Sequence, residues 1–284
     1  MPYFAYGSNL NAQDLADWCR TNTQPYPLGH CFGRAWLPDH QLVFEGYSAA
    51  RGGAVANVIH RKGYAVPGAM FRVMKYCWRV INRKEGAPYQ YKKVETVALV
   101  ETESGSTMPM ACHTYSMTQS DDSHLPSAEY LTAIAEGYRA HGLPMDYFLH
   151  ALKGLESPLP VFVYGTLKRG GRLHGNMEGF NFLGEASISG RLLNCGSFPG
   201  FVESEGDECV RGEIFQIQPE AGTALQIEAL DRIEGFSGFG ARRNLYERRI
   251  VLTTDGSGND IPCWAYRWMG KDGLPEVTGG VWPV

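Results

Sequence analysis

Two glutamates in this chain stand where a helical pattern stops. Glu85 precedes Gly86, and Glu234 precedes Gly235. Ahead of the first, Val73, Cys77, Val80 and Ile81 recur at three and four residues; ahead of the second, Leu225, Ala229, Leu230 and Ile233 do the same. That is the spacing of one apolar helix face, and the glycine that follows is the usual stop, since it accepts the left-handed conformation that closes a last turn. A carboxylate at such an end meets carbonyl groups without partners, which disfavours its charge and pushes its pKa upward. Helix ends ordinarily select Lys or Arg, so the same local rule is broken twice. For either glutamate alone, a solvated side chain neutralised by Arg83 and Lys84, or by Arg232, is the simpler reading. The repetition favours a carboxyl group that exchanges protons near neutral pH.

A second pair of features accompanies the first. The stretches "YFAYGSNL" and "VFVYGTLK" each run an apolar strand into Tyr-Gly: Tyr6-Gly7-Ser8-Asn9-Leu10 and Tyr164-Gly165-Thr166-Leu167. Glycine there permits close approach of a ligand to the backbone, and the next N–H groups can converge on an anion or oxyanion. Taken singly, each is equally a plain tight turn. "GTLKRGG" lacks the spacing of a nucleotide-phosphate loop, and there is no Gly-x-Ser-x-Gly elbow. One proton shuttle and one polar cradle suit a substrate that carries its own nucleophile, because an intramolecular attack needs little beyond correct placement.

These features must be positioned by a duplicated scaffold. "VPGAMFRV" and "VRGEIFQI" align Val66 with Val210, Gly68 with Gly212 and Phe71 with Phe215, and both lead on to Glu-Gly. After each Glu-Gly the chain returns to strand-like text, "YQYKKVETVALVE" and "LYERRIVLTT", headed by Tyr91 and Tyr246. Each half therefore reads as a mainly antiparallel β unit with a helix before a late strand, closed so that no edge is left exposed. The expected class is α+β, two tandem small mixed β-barrels with flanking helices. The first half adds "LPSAEYLTAIAEGYRAHGLPMDYFLHALKG", two helices separated at Gly142 and Pro144. Domains are expected over 1–154 and 161–284, with a Pro-containing linker at 155–160, and are expected to pack on each other.

The bulk properties narrow the function. The chain has 284 residues, a net charge of −4 and 44% hydrophobic residues, the balance of a globular protein without a nucleic-acid surface. No apolar run approaches a membrane span and no signal peptide is visible, so a cytoplasmic protein is expected. Seven scattered cysteines and eight scattered histidines show neither disulfide nor metal-ligand spacing. Metal-free chemistry is the expectation.

The motif set resembles a known superfamily. "YFAYGSNL", Glu85-Gly86 and "HTYSM…LPSAEYLTAIAEGYRAHGLPMDY" resemble gamma-glutamylcyclotransferase along the first half. "VFVYGTLKRG", "CGSFPGFV", "VRGEIFQI" and "LDRIEGF…LYERR" resemble the gamma-glutamylamine cyclotransferase branch along the second. The resemblance implies release of 5-oxoproline from a gamma-glutamyl amine, amide or peptide, an acyl transfer without metal or organic cofactor. It implies that Glu85 or Glu234 is the general acid/base, that the Tyr-Gly turns hold the glutamyl moiety, and that Tyr91 and Tyr246 line the pocket. Two departures stand out. Ile81-Asn82 replaces the family's Leu-Asp, and "GFSGFGARRN" lengthens the segment after Glu234, where Arg242 and Arg243 are expected to face an acidic leaving group. A non-catalytic barrel pair binding a small anion or a partner, and a chain with one active domain, stay open as alternatives.

Overall fold

The computed structural model describes residues 1–117, 124–204, 206–218, 222–271 and 273–284. The chain divides into two compact units, Met1–Val100 with Pro109–Ser157, and Glu101–Met108 with Pro158–Val284. A boundary drawn along the sequence does not anticipate the grouping of Glu101–Met108 with the second unit.

The first unit contains β1 (Tyr3–Ala5), α1 (Ala12–Thr21), β2 (Leu28–Ser48), β3 (Gly53–Val73), α2 (Trp78–Lys84), all but the last residue of β4 (Tyr91–Glu101), all but the first two residues of β5 (Thr107–Met117), α3 (Ala128–Ala140) and α4 (Met145–Leu152). Its strands form a closed barrel in the order β1-β3-β2-β4-β5, with β5 returning to β1 in parallel. The second unit contains β6 (Val161–Val163), β7 (Phe180–Ser189), β8 (Arg191–Asn194), β9 (Pro199–Val202), β10 (Cys209–Ile217), α5 (Thr223–Ile233), β11 (Tyr246–Asp255) and β12 (Asp260–Trp268). Here β6-β10-β7-β11-β12 follow the same circuit. β12 returns to β6 in parallel, its pairing with β11 closes the ring, and β9 and β8 extend it.

The duplication extends to individual contacts. A Cβ on Gly68 would lie 2.2 Å from the Ala5 carbonyl oxygen and 2.6 Å from the Phe4 ring. A Cβ on Gly212 would lie 2.3 Å from the Val163 carbonyl oxygen and 2.6 Å from the Phe162 ring. Each glycine thus lets the short first strand press flat against its neighbour. Phe4, Met70, Val80, Ile81 and Ile134 belong to one buried core, and Phe162, Phe201, Val210 and Ile214 to the other. Among the described residues no helix is long and apolar enough to cross a membrane.

Several local expectations change. The first helix before a Glu-Gly begins at Trp78, not Val73, because Val73 ends β3 and Tyr76 takes a left-handed turn at φ +64. Leu225 is 72% exposed and Ile227 occupies the core instead, so α5 is rotated from the face its apolar spacing suggested. The strands β2 and β3 are each 21 residues long, and their register shifts at Pro38/His40, where Asp39 has φ +56. Helix α1 was not anticipated. Its start is written in Asn11, whose side-chain oxygen accepts from the N–H groups of Gln13 and Asp14 at 3.0 and 3.1 Å.

Candidate active site

Each Glu-Gly closes its helix in the manner the residue types dictate. Glu85 and Glu234 are the C-terminal caps of α2 and α5, and Gly86 and Gly235 follow at φ +61 and +62. Each Tyr-Gly turn follows the first strand of its barrel. Leu10 N–H donates to Gly7 O at 3.0 Å and Lys168 N–H to Gly165 O at 3.1 Å, bonds in which the N–H groups of Ser8, Asn9, Thr166 and Leu167 take no part.

In the second unit a cavity of about 150 Å³ is lined by Tyr164, Gly165, Thr166, Leu167, Glu234 and Tyr246, the whole set expected for that half. In the first, a cavity of about 30 Å³ is lined by Tyr6, Gly7, Ser8, Asn9, Glu85 and Tyr91. Leu10 is not among its lining residues and lies instead against α3, where a Cβ on Gly137 would come within 2.7 Å of the Leu10 Cβ. A cavity near 150 Å³ holds a benzene-sized molecule, whereas one of a few tens of Å³ holds about a water or two.

Matching tyrosine bonds shape both walls. Tyr6 Oη donates to Tyr115 O at 2.7 Å and Tyr164 Oη to Tyr266 O at 2.5 Å. Tyr91 Oη donates to Ala56 O at 2.6 Å and Tyr246 Oη to Pro199 O at 2.5 Å. Burial raises the pKa of all four phenols, so they are neutral donors. The next pair shows where the halves diverge. Tyr115 Oη donates to Asn82 Oδ1 at 2.5 Å, and Tyr266 Oη to Asp231 Oδ1 at 2.7 Å. Asp231 also pairs with fully buried Arg248 at 3.5 Å. The residue at the Arg248 position in the first unit is Lys93, exposed and 4.7 Å from the Trp78 ring centroid.

The carboxyl groups occupy different electrostatic settings. Glu234 keeps the partial exposure of a cavity-lining side chain, yet desolvation by burial raises its pKa from 4.5 to about 7. Burial, rather than the helix end alone, is thus the cause of the expected shift. Burial raises Glu85 too, but Lys84, a bond from Asn9 and Arg51 oppose it. Asn9 Nδ2 donates to Glu85 Oε1 at 2.6 Å and to Tyr3 Oη at 2.8 Å. The side chain of Asn9, not only its N–H, therefore serves the site; the second unit has Leu167 at that place. Arg51 donates to Ser8 Oγ at 3.2 Å and to Asp14 at 2.7 and 2.6 Å, and Lys84 Nζ reaches Ser8 Oγ at 3.3 Å. Tyr130 of α3 enters the same cavity and accepts the Ala56 N–H at 3.1 Å.

The insertion after Glu234 does not bring its arginines to the cavity. Arg242 and Arg243 are exposed and absent from the lining residues. Phe236 and Phe239 pack together at 5.1 Å and each lies 5.3 Å from the Arg248 guanidinium, so the segment covers that buried cation. Leu245 at its end does line the cavity, as do Arg172, Leu173 and Phe198, which sequence reasoning missed. "CGSFPGFV" marked the neighbourhood of Phe198, but nothing in spacing marked Arg172. Among the described residues no cluster of His, Cys, Asp and Glu could hold a metal ion.

Comparison with known proteins finds a family match within each half. Residues 161–284 match the family described as gamma-glutamyl cyclotransferase, AIG2-like, and residues 65–151 match the AIG2-like family. No curated protein matches the chain. Among solved structures, one titled gamma-glutamyl cyclotransferase is 25% identical over 55% of this chain and 88% of its own, with a TM-score of 0.45. An uncharacterized protein from Homo sapiens is 26% identical over 55% and 87%, with a TM-score of 0.45. YkqA from Bacillus subtilis is 16% identical over 98% and 88%, with a TM-score of 0.36.

Proposed function

Because the chain belongs to the gamma-glutamyl cyclotransferase-like superfamily, with two such domains, we propose that its second unit is a cyclotransferase releasing 5-oxoproline from a gamma-glutamyl amine or amide. The observation that carries this reading is Glu234, a carboxyl group with a pKa raised to about 7 by burial, lining a cavity of about 150 Å³ beside the Thr166–Leu167 backbone.

The glutamyl moiety binds with its γ-carbonyl oxygen toward the N–H groups of Thr166 and Leu167. Glu234 as carboxylate takes a proton from the substrate α-amine while that nitrogen attacks the γ-carbonyl carbon. A carbon–nitrogen bond forms in the five-membered lactam and the bond to the departing amine breaks. Glu234 then returns its proton to that amine, so the carboxyl group ends as it began. A pKa near neutrality serves both transfers, since neither protonation state is scarce at working pH. Tyr246, held by Pro199, keeps the wall against which the substrate folds.

The first unit supports a different role. Its cavity of about 30 Å³ is too small for a glutamyl group, and Arg51 and Lys84 occupy the Ser8 hydroxyl. In this reading turnover belongs to Glu234 and the Glu85 site is silent. Purified full-length protein, its Glu85→Gln and its Glu234→Gln variants are incubated with a panel of gamma-glutamyl amines, amides and dipeptides, and 5-oxoproline is measured. Glu234→Gln loses about 10²–10⁴-fold in kcat, the usual worth of a general acid/base, while Glu85→Gln retains activity. Loss confined to Glu85→Gln reverses the assignment of the two units, and no product from any substrate removes the cyclotransferase reading.

A further inference from the structure

The Tyr-Gly turn of the second unit can act as a cradle only if its N–H groups are held in direction. A peptide unit is planar and trans, with N–H and C=O pointing opposite ways, so a bond to one aims the other. Gly165 O accepts the Lys168 N–H at 3.1 Å, which aims the Thr166 N–H. Thr166 O accepts the Leu173 N–H at 2.9 Å, which aims the Leu167 N–H. A Cβ on Gly171 would stand 2.4 Å from Thr166 O, so this fold-back depends on glycine there. Both bonds come from the stretch that follows the turn, and that stretch must itself be fastened.

The fastening is a carboxylate on β10. Glu213 is buried; its Oε2 accepts the Arg169 N–H at 2.8 Å and its Oε1 the Arg169 Nε–H at 3.1 Å. Glu213 is the register partner of Val163 on β6, the strand that leads into the turn, so its side chain ties the outgoing chain to the incoming strand. The buried Lys168 beside it donates from Nζ to Trp282 O at 2.8 Å. Glu213 is not among the residues lining the cavity. The first unit is built otherwise. Ala69 holds the register position of Glu213, opposite Ala5, and the chain after Leu10 enters α1 through the Asn11 cap.

Resting on the cyclotransferase reading of the same cavity, we infer that Glu213 is a positioning residue for that reaction: by pinning the Arg169 N–H it holds the Thr166 and Leu167 N–H groups where the γ-carbonyl oxygen gains charge. It touches no substrate atom and moves no proton. Its contribution is reach rather than charge, because a backbone N–H cannot follow a retreating acceptor whereas the Arg169 guanidinium can. A carboxylate kept only to balance Lys168 and Arg169 would need charge rather than reach.

Two substitutions separate these demands. Glu213→Gln keeps the length and one acceptor oxygen but loses the charge, while Glu213→Asp keeps the charge and draws both oxygens back by about 1.5 Å. 5-Oxoproline release is measured for both, for Arg169→Ala and for the unaltered full-length protein, on the gamma-glutamyl compound that the unaltered protein turns over fastest. Glu213→Asp lowers kcat about 10–10²-fold. KM moves far less, because the cradle acts on charge that develops in the transition state. Glu213→Gln stays within about threefold of the unaltered kcat, its neutral acceptor being the weaker one. Arg169→Ala does so too, since its N–H remains. The Glu234 carboxyl midpoint, read by ¹³C NMR, stays near 7 in all of them. Unchanged kcat in Glu213→Asp overturns the inference, as does a larger loss in Glu213→Gln than in Glu213→Asp, which would make Glu213 a counter-charge. A loss in Arg169→Ala equal to that in Glu213→Asp overturns it by tracing the effect to the ion pair, and a shifted Glu234 midpoint in Glu213→Asp does so by tracing it to the acid. Each of these leaves the cyclotransferase reading standing. No 5-oxoproline from the unaltered protein with any gamma-glutamyl amine, amide or dipeptide overturns both.

Discussion

The most exacting consequence of the site is a glutamate that titrates near neutrality. Glu234 rises from 4.5 to about 7 through burial, so between these values the folded chain holds a proton that the unfolded chain has released. Stability depends on the difference in bound protons, and a raised carboxyl pKa means the extra stability is present below about pH 4.5 and is lost as pH rises through about 7. At 1.36 kcal/mol per unit, the displacement corresponds to about 3 kcal/mol, a large share of a domain's total stability. Glu234→Gln cannot release this proton, so the decline across that window disappears in the variant. Carboxyl ¹³C NMR of full-length protein labelled at glutamate side chains reads the titration directly, with Glu234→Gln identifying the resonance. Denaturant unfolding at several pH values then compares the two slopes. A Glu234 resonance with its midpoint below about 5, or equal slopes in the two proteins, refutes the reasoning that burial sets this carboxyl group.

Two structural predictions follow from the same wall. Asp231→Ala leaves Arg248 charged and fully buried without its carboxylate, which costs about 3–5 kcal/mol, measured as a lowered denaturation midpoint. Asn82→Ala, which strands no buried ion, costs less. Gly68→Ala and Gly212→Ala each drive a methyl group into a carbonyl oxygen, at 2.2 and 2.3 Å, and each lowers Tm by several degrees, since about 1 kcal/mol moves a domain midpoint by a few degrees. An unchanged Tm in either glycine variant contradicts the close approach of the first strand.

The repeated parts of this protein were the legible parts. Paired Glu-Gly stops, paired Tyr-Gly turns and the aligned Gly68 and Gly212 each show a backbone requirement that few residue types satisfy, so one letter carries much information. Helix α1 escaped because its apolar stripe is narrow, with Leu15 and Cys19 its buried residues. The face of α5 was misread because Leu225 satisfies the helical spacing but lies in solvent. Arg172 was invisible for another reason. Its place depends on a fold-back of the loop over Thr166, and a single arginine has no periodicity to betray that. Arg242 and Arg243 had the apparent signal, a charged insertion beside Glu234, yet the phenylalanines of that segment set its course by covering Arg248.

That cover explains how one duplicated plan supports two different glutamates. In the second unit Asp231 pairs with Arg248 and accepts from Tyr266, and burial sets the raised pKa of Glu234 with no opposing cation among the described residues. The first unit has Asn82 for the acid, and the cation at the matching position, Lys93, lies exposed. Neither change strands a buried charge, because a neutral amide replaces the acid and the cation lies in solvent. The cations that influence Glu85 come instead from Lys84 and Arg51, and Asn9 adds a hydrogen bond to the ionised form. These three oppose the shift that burial imposes, and each does so by favouring the charged carboxylate. Asn9→Ala therefore raises the Glu85 pKa further without moving that of Glu234, which the same carboxyl ¹³C titration reads for both residues. A Glu85 resonance unmoved by the substitution denies Asn9 its part in distinguishing the two sites.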